Sequence, residues 1–461
     1  MVHLGPGAFF RAFNAIYTDE AMAAAGGDWG ICAVSLRSPD ARDQLEPQDG
    51  LYTAVELGPE GRRHRLIGSI ARVLVAPEDQ AAVIAAMADP AVRVVTLTIT
   101  EKGYCHNPAT GALDPDHPDI VHDLDHPDSP RSAIGFLCAA LAQRRRDGAP
   151  PLTVLSCDNL PSNGSLARGV VLDFARRREP DLADWIADTI PFPATMVDRI
   201  TPATTDADIA RLAQQEGRHD PAMVVHEPFR QWVIEDRFAS GRPDWQDAGA
   251  QFVQSVDAHE LMKLRMLNGT HSTLAYLGYL AGHETVAEAV ADPPFAALCR
   301  MLWQQEIIPT LPRPEGEDLD AYADSLLTRY ANPAIRHRTW QIAMDGSQKL
   351  PQRILGTVRG NLARDVVPRG LCLAVAGWMR YVGGIDETGA DIDVRDPLAA
   401  RLKSLSQSAD SPAATVAALL DVEQVFGSDL ATDDRFAAAV TSAYKTLVNS
   451  GARAAVAGTV R

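Results

Sequence analysis

The sequence lacks the features that mark secreted, membrane-spanning and zinc-framework proteins. Its six cysteines are scattered without C-x-x-C spacing, so we expect reduced thiols, a cytoplasmic location and no structural zinc. No uninterrupted apolar run reaches about 18 residues, so no membrane span is expected. No basic segment followed by an apolar one opens the chain, so no signal peptide is expected either. An excess of 60 acidic over 43 basic residues argues against nucleic acid or an anionic membrane as the main partner.

The segment that opens the chain reads as a short strand, a glycine turn and the start of a helix. Gly5 and Gly7 match the first two glycines of a dinucleotide-binding turn, which permit a tight bend and close approach of the backbone to a pyrophosphate. Phe10 stands where the third glycine would be, so an ordinary glycine turn fits as well. Together with Arg11, these residues are candidate cofactor contacts.

Two further strand ends belong to the same candidate site, because open α/β sheets bind ligands at the carboxyl ends of their strands. The apolar run at residues 29–36 ends near Arg37, with Asp40 three residues later. An acid at this point favours the ribose hydroxyl of NAD, whereas an arginine leaves room for the 2′-phosphate of NADP. The β-branched run at residues 94–100 leads into Glu101, another candidate contact.

From about residue 250 the composition of the chain changes from β-branched runs to long alanine- and leucine-rich helical patterns. The 461 residues are enough for two domains. We therefore predict an α/β fold with an N-terminal Rossmann-type dinucleotide-binding domain over residues 1–250. A mainly α-helical C-terminal domain is predicted over residues 251–461.

Two later strand ends carry polar side chains of their own. The strand predicted at residues 151–157 ends near Asn159, which fits a turn residue or an amide donor to a substrate oxygen. The strand predicted at residues 192–198 ends at Asp198. A His- and Asp-rich segment at residues 114–128 contains several prolines and no spacing that fixes a coordination geometry. We predict a solvated loop there and no metal site.

The stretch from Glu260 to Leu280 predicts a long helix with four polar side chains among apolar ones. On an ideal α-helix Glu260, Lys263, Asn268 and His271 share one broad arc, with the lysine and the asparagine about 140° apart. A carboxylate, an ammonium, an amide and an imidazole on one arc suit proton transfer and stabilisation of an oxyanion. An amphipathic helix with a solvated polar face fits the same pattern.

Together these motifs resemble the mannitol dehydrogenase family of polyol-specific long-chain dehydrogenases. The resemblance rests on the glycine turn, residues 100–104, 156–159 and 196–199, and the spacing of Lys263, Asn268 and His271. It implies hydride transfer between NAD and a secondary alcohol or ketone, without a metal. Residues 227–236, 336–353 and 376–381 are similar to the branch of the family that reduces fructuronate.

The resemblance also implies a role for each candidate catalytic residue. Lys263 is the expected general acid/base, and burial would suit it by lowering the pKa of a lysine ammonium. Asn159 and Asn268 are expected to bind the reacting oxygen. His271 would hydrogen-bond the substrate and orient the lysine, and Glu260 matches a proton-relay position.

Asp198 and Lys349 match substrate-contact positions of the family. A uronate carboxylate needs a cation, and the candidates are Lys349, Arg353 and Arg380, for each of which a surface or helix-end charge is the alternative. Mannitol dehydrogenases tend to carry arginine where Gln341 stands, which favours the uronate branch.

The predicted reaction is the reduction of fructuronate to mannonate with NADH, by a monomer or small homo-oligomer. The first alternative is a dehydrogenase of a neutral polyol such as mannitol or arabinitol. The second is a nucleotide-binding scaffold without catalysis. The family usually carries histidines where Phe10 and Phe13 stand, which puts in doubt any cofactor contact those histidines would make.

Overall fold

The computed structural model describes all 461 residues, which divide into two compact units, Met1–Asp257 and Ala258–Arg461. The division lies a few residues beyond the predicted boundary. All named strands belong to the first unit and the second is helical, as the predicted fold class requires. None of the helices is both long enough and apolar enough to cross a membrane.

Eleven strands form three sheets in the first unit. In chain order they are β1 (Val2–Leu4), β2 (Ile31–Ser35), β3 (Tyr52–Gly58), β4 (Gly61–Ile67), β5 (Ile70–Val75), β6 (Val94–Leu97), β7 (Thr153–Ser156), β8 (Thr195–Asp198), β9 (Val224–His226), β10 (Gln231–Glu235) and β11 (Gln251–Val253). The largest sheet has the order β5-β2-β1-β6-β7 and is parallel throughout. Counted in chain order within that sheet, this is the 3-2-1-4-5 arrangement of a Rossmann fold.

The strands of this sheet are apolar because both faces are covered. Val2 and Val34 contribute to one hydrophobic core and Ile31 and Ala33 to another, as expected when successive side chains point to opposite faces. Helices occupy the intervening segments. In the first unit they are Ala8–Ala12, Asn14–Ala25, Asp40–Leu45, Gln80–Ala88, Pro118–Asp125, Ala133–Asp147, Asn163–Arg178, Pro180–Thr189 and Asp206–Glu216, with 3-10 turns at Glu46–Gln48, Glu101–Tyr104 and Trp245–Ala248.

Two small sheets complete the first unit. Strand β8 pairs antiparallel with β10, which pairs parallel with β11, and β3 pairs with β4 and β9. Strands β3, β4, β5, β9, β10 and β11 were not predicted from the sequence. Strand β4 is mostly exposed and arginine-rich, so it lacks the apolar pattern that identifies a buried strand.

The predicted solvated loop at residues 114–128 is wrong in part, because Pro118–Asp125 forms a helix. Proline is favoured in the first turn of a helix, and the side chain of His117 caps this one. Asp123 is fully buried and accepts a hydrogen bond from the backbone N–H of Ser132 at 2.9 Å. One of the aspartates of this segment therefore has a structural role.

The second unit is built around one long, buried helix interrupted by a π-helical segment. It runs as Asp257–Met262, the π-helix Lys263–Gly269, and Thr270–Leu280. The other helices are Val286–Ala291, Pro293–Met301, Leu319–Tyr330, Thr339–Ala343, Gly346–Leu350, Gly356–Leu362, Arg369–Val382, Ala399–Ser408, Pro412–Leu420, Glu423–Ala431, Asp434–Ser450 and Ala452–Thr459. There are two more π-helices, Leu302–Ile307 and Pro351–Leu355, and a 3-10 turn at Ile308–Thr310.

Candidate active site

A cleft of about 630 Å³ opens in the first unit at the carboxyl ends of β1, β2 and β6. Ligands of open α/β sheets bind at this position. The wall is formed by the glycine turn and by the loops that follow β2 and β6, and includes Gly5, Gly7, Arg11, Arg37, Ser38, Asp40, Thr98, Thr100, Lys102 and Arg131.

The glycine turn could not be built with a larger residue at its first position. Gly5 has φ +94°, and a Cβ atom there would lie 2.2 Å from the carbonyl oxygen of Thr98. Its N–H donates to the carbonyl of Val34 at 3.0 Å, and the N–H of Gly7 donates to the carbonyl of Gly5 at 2.7 Å. The backbone is thus held against β2 and against the residue that follows β6, while Gly7 lines the cleft, which fits the close approach of a pyrophosphate.

The buried side chain of His3 packs against the glycine turn. The ring of His3 stacks on Phe10 with centroids 3.6 Å apart, and its nitrogens contact the hydroxyls of Thr96 at 2.7 Å and Thr98 at 2.9 Å. Burial lowers the pKa of His3 to about 3, so the ring is neutral at physiological pH. Phe10 is fully buried in this stack and does not line the cleft. Its predicted contact with the cofactor is therefore wrong, because the ring packs into the core.

Of the other predicted cofactor contacts, Arg11 and Arg37 lie on the wall of the cleft. The guanidinium of Arg11 donates to the side chain of Gln44 at 3.2 Å. Arg37 is exposed and makes neither a hydrogen bond nor an ion pair. Glu101 is exposed and is not part of the wall, where its neighbour Lys102 stands instead.

A residue that the sequence analysis missed, Asp158, fixes the loop after β6. Its carboxylate accepts hydrogen bonds from the N–H groups of Ile99 at 3.0 Å and Thr100 at 2.9 Å, and from the Tyr104 hydroxyl at 2.8 Å. Thr100 needs this support because its φ of +62° is rare for a residue with a side chain. Burial raises the pKa of Asp158 in spite of these bonds. The signal in the sequence was the acid beside Asn159 at a strand end.

Asn159 and Asp198 both lie at strand ends, as predicted. Asn159 is exposed just beyond β7, and Asp198 is the buried last residue of β8. The amide of Asn163 links the loop after β7 to the first residue of β8 by donating to the carbonyls of Asp158 at 3.0 Å and Thr195 at 2.9 Å. The loop that carries Asn159 is thus held against β8.

In the second unit, the π-helix changes the predicted arrangement of Lys263 and Asn268. These two residues are five apart, and an i→i+5 hydrogen bond places the fifth residue a little more than one turn beyond the first. They therefore lie closer together around the axis than the 140° of an α-helix. Lys263 is 9% and His271 6% exposed, while Glu260 and Asn268 are half-buried. The alternative of a solvated polar face is wrong.

Two buried side chains satisfy backbone carbonyls of the π-helix. The indole N–H of Trp303 donates to the carbonyl of Met266 at 3.0 Å, and the hydroxyl of Tyr330 donates to the carbonyl of Leu267 at 2.8 Å. A helix that widens leaves carbonyls without their usual partners, and an unpaired buried carbonyl is costly. These donors stabilise the segment that carries the lysine.

His271 packs between two rings, one of which the sequence analysis missed. Its centroid lies 4.6 Å from that of Tyr330 and 4.9 Å from that of His337. Burial lowers the pKa of both histidines, and the cation Arg353 lowers both further. Both rings are neutral at physiological pH. His337 lies in the stretch whose resemblance to the uronate branch was noted, which was the available signal.

Arg353 lies in the π-helix Pro351–Leu355, which crosses the lysine-bearing segment in close contact. A Cβ atom on Gly269 would lie 2.6 Å from the carbonyl oxygen of Arg353, so the crossing requires glycine. The guanidinium is half-buried and its one hydrogen bond runs to the hydroxyl of Ser272 at 3.2 Å. No carboxylate contacts it, and burial lowers its pKa.

The two other predicted carboxylate partners differ in their surroundings. The ammonium of Lys349 is half-buried and donates to the carbonyl of Met344 at 2.6 Å, and burial lowers its pKa. Arg380 donates to the carbonyls of Ile385 at 2.7 Å and Asp386 at 3.3 Å, just beyond its own helix. The structure does not bring Arg380 into contact with Lys349 or Arg353, and its hydrogen bonds serve to close a loop.

Comparison with known proteins gives matches over both units. The model of the mannitol dehydrogenase Rossmann domain matches residues 1–247, and that of the mannitol dehydrogenase C-terminal domain matches residues 255–448. The chain is 49% identical to D-mannonate oxidoreductase of Escherichia coli strain K12, covering 99% of this chain and 95% of that protein. It is 43% identical to mannitol 2-dehydrogenase of Phaeosphaeria nodorum, covering 99% and 80%.

A solved structure gives the same result. Mannitol 2-dehydrogenase of Pseudomonas fluorescens, in a ternary complex with NAD and D-mannitol, superposes with a TM-score of 0.82 at 41% identity. The match covers 99% of this chain and 93% of that one.

Proposed function

The chain belongs to the mannitol dehydrogenase family, and we propose that it is an NAD-dependent oxidoreductase that reduces D-fructuronate to D-mannonate. The similarity to D-mannonate oxidoreductase supports this substrate. Because mannitol 2-dehydrogenases are also similar, the choice between a sugar acid and a neutral polyol has to be argued from side chains.

The observation that carries the proposal is the state of Arg353. A half-buried guanidinium with a single hydrogen bond, to a hydroxyl, leaves most of its five N–H donors without a protein acceptor. Withdrawing such a charge from water costs free energy unless an anion offsets the loss. A substrate carboxylate would do so through a bidentate contact, which a neutral polyol cannot make.

Arg353 is one of several cations near two imidazoles. His337 has Arg353 and Lys349 as its charged neighbours, and both lower the pKa of the imidazole. Arg329 and Arg353 lower the pKa of His271 in the same way. Cations therefore lie near both imidazoles, although the whole chain carries a formal charge of −17. Nearby cations favour an anionic substrate.

The residues proposed for the chemistry act on the substrate oxygen. NADH, when bound, would supply the hydride that the carbonyl carbon of the substrate accepts. Lys263 donates a proton to the oxygen as alkoxide charge develops there, and Glu260 relays the replacement proton. The amides of Asn268 and Asn159 donate hydrogen bonds to the same oxygen. His271, being neutral, can donate from one nitrogen and accept at the other.

The test is NADH oxidation with fructuronate, tagaturonate and fructose in parallel, on the wild type and on Arg353→Gln. We expect fructuronate to be the best substrate and its kcat/KM to fall by about 10- to 100-fold in the variant, because a charge-assisted contact is lost. The low activity on fructose should change little. Arg359→Gln is the matched control, since that arginine contacts Asp429 and Phe426 instead.

Turnover of fructose at least as efficient as that of fructuronate would instead indicate a neutral-polyol dehydrogenase. That second candidate has its own support in the similarity to mannitol 2-dehydrogenases and in catalytic groups that do not require a carboxylate. Equal loss of activity on both substrates in Arg353→Gln would show that this arginine stabilises the site and does not bind the substrate carboxylate.

A further inference from the structure

The loop after β2 carries an arginine at the position where a Rossmann fold meets the ribose 2′-group, which is a hydroxyl in NAD and a phosphate in NADP. We propose that the cleft of the first unit binds NADP(H) as well as NAD(H), with Arg37 receiving the 2′-phosphate. This goes beyond the proposed function and does not depend on which sugar is reduced.

The loop after β2 lies where Rossmann folds distinguish NAD from NADP. In Rossmann folds an acid near the end of the second strand accepts a hydrogen bond from the ribose 2′-hydroxyl of NAD, and a nearby arginine accommodates the 2′-phosphate of NADP. Here β2 ends at Ser35 and is followed by Leu36, Arg37 and Ser38. No acid occupies the strand end, and the first one, Asp40, already belongs to the next helix.

Hydrogen bonds within the loop engage the carboxylate of Asp40. The hydroxyl of Ser35 donates to the carbonyl of Ser38 at 2.5 Å, which fixes the turn. The hydroxyl of Ser38 donates to Asp40 at 2.8 Å. This carboxylate stands in the first turn of its helix, where negative charge is favoured. Arg37 is left as the charged group of the loop between strand and helix.

The charges that face the cleft favour an additional phosphate. Arg37, Lys102 and Arg131 line it, and none of these three side chains makes a hydrogen bond or an ion pair. Asp40 and Asp119 are the acids on the wall and would oppose an anion. The cations outnumber the acids, and a guanidinium matches the geometry of a phosphate through paired N–H donors.

Binding is measured without any sugar, so the outcome is independent of the fructuronate proposal. Titrations of protein fluorescence with NADH and NADPH, and competition by adenosine 2′,5′-bisphosphate or 5′-AMP, are run on the wild type and on Arg37→Ala. We expect wild-type affinities for NADH and NADPH within about tenfold of each other. Loss of the arginine should weaken NADPH and the bisphosphate by roughly 10- to 100-fold and leave NADH and 5′-AMP nearly unchanged.

Arg42→Ala is the matched control, because that arginine is close in sequence but pairs with Asp43 and Glu78 outside the cleft. It should leave all four ligands unaffected. Arg37→Asp should widen the preference for NADH, since it restores an acid near the strand end. Wild-type binding of NADPH more than about a thousandfold weaker than that of NADH would overturn the proposal. Equal weakening of NADH and NADPH in Arg37→Ala would do the same.

Discussion

Lys263 is a lysine almost withdrawn from water, and few positions in a protein keep such a side chain without a functional reason. Lysine is rarely buried, since its ammonium is strongly hydrated and its long side chain loses conformational freedom. The π-helix that carries it provides a second reason, because such segments occur frequently at functional sites. Burial and helix geometry thus support the general acid/base role independently of the family resemblance.

We expect Lys263→Ala to lower kcat by about 10²- to 10⁴-fold, the usual contribution of general acid–base catalysis. The affinity for NADH should stay the same, because the cleft with the glycine turn lies within the first unit. Steady-state kinetics and fluorescence titration measure the two quantities. Lys403→Ala is the control, as a lysine with a half-exposed side chain on the helix Ala399–Ser408. A variant with unchanged turnover would contradict the proposed role.

At the level of single residues, the sequence identified side chains with intrinsic chemistry and missed those defined by their neighbours. Lys263 and Asn268 could be selected from spacing and resemblance. Asp158 could not, because its role depends on the strained Thr100 in a loop more than fifty positions away. Phe10 was assigned to the cofactor because the turn pattern places a glycine there, and only the stack on a buried histidine reveals its position.

Among the elements, the contact between two π-helices is the one most directly tied to the proposed site. The lysine-bearing segment and Pro351–Leu355 approach so closely that Gly269 has no space for a methyl group against the carbonyl of Arg353. A change at this contact must move one backbone or the other. Either movement displaces a residue with a proposed function.

We expect Gly269→Ala to lower the free energy of unfolding by about 1–3 kcal/mol, as overpacking does, and to raise KM for the substrate by displacing Arg353. Urea unfolding and steady-state kinetics measure both effects. Gly169→Ala is the matched control, because that helical glycine has open space around it and alanine should favour the helix slightly. If both variants behaved alike, the contact would have no special role.

The regular elements were predictable to the extent that their pattern repeats locally. Four of the five strands of the main parallel sheet were predicted from apolar runs, and the helices of the second unit gave a helical period. The π-helix Lys263–Gly269 was not predictable, since one wider turn barely alters the spacing of apolar residues. Strand β4 was missed because it is the edge strand beside β3 and its arginines are largely in contact with water. It therefore lacks the apolar pattern of a buried strand.

For the whole molecule, the change in composition near residue 250 was enough to predict two domains of different class. The strands of the first unit are rich in β-branched residues because the parallel sheet is buried on both faces, whereas the second unit has no sheet. Net charge could not predict local charge, because Arg329, Lys349 and Arg353 lower the pKa of two histidines of the second unit in a chain of charge −17. Local fields depend on folding, and composition averages over them.

The stability of the molecule should also depend on pH through histidines buried in their neutral form. Burial lowers the pKa of His3 and of His226 in the first unit to about 3, from an ordinary value of 6.5. Below pH 6.5 the unfolded chain binds protons that the native protein does not. Stability is therefore complete above that value and is lost as the pH falls toward 3.

Between pH 6.5 and 5, each of these histidines should lower the free energy of unfolding by about 2 kcal/mol, at about 1.4 kcal/mol per pH unit. His226→Asn isolates one contribution, because its amide can still donate to the carbonyl of Glu227, to which the imidazole bonds at 2.8 Å, and it does not titrate. Urea unfolding at several pH values should give a shallower loss for the variant than for the wild type. Parallel curves would mean that His226 becomes protonated in the folded protein, and that its burial does not keep the ring neutral.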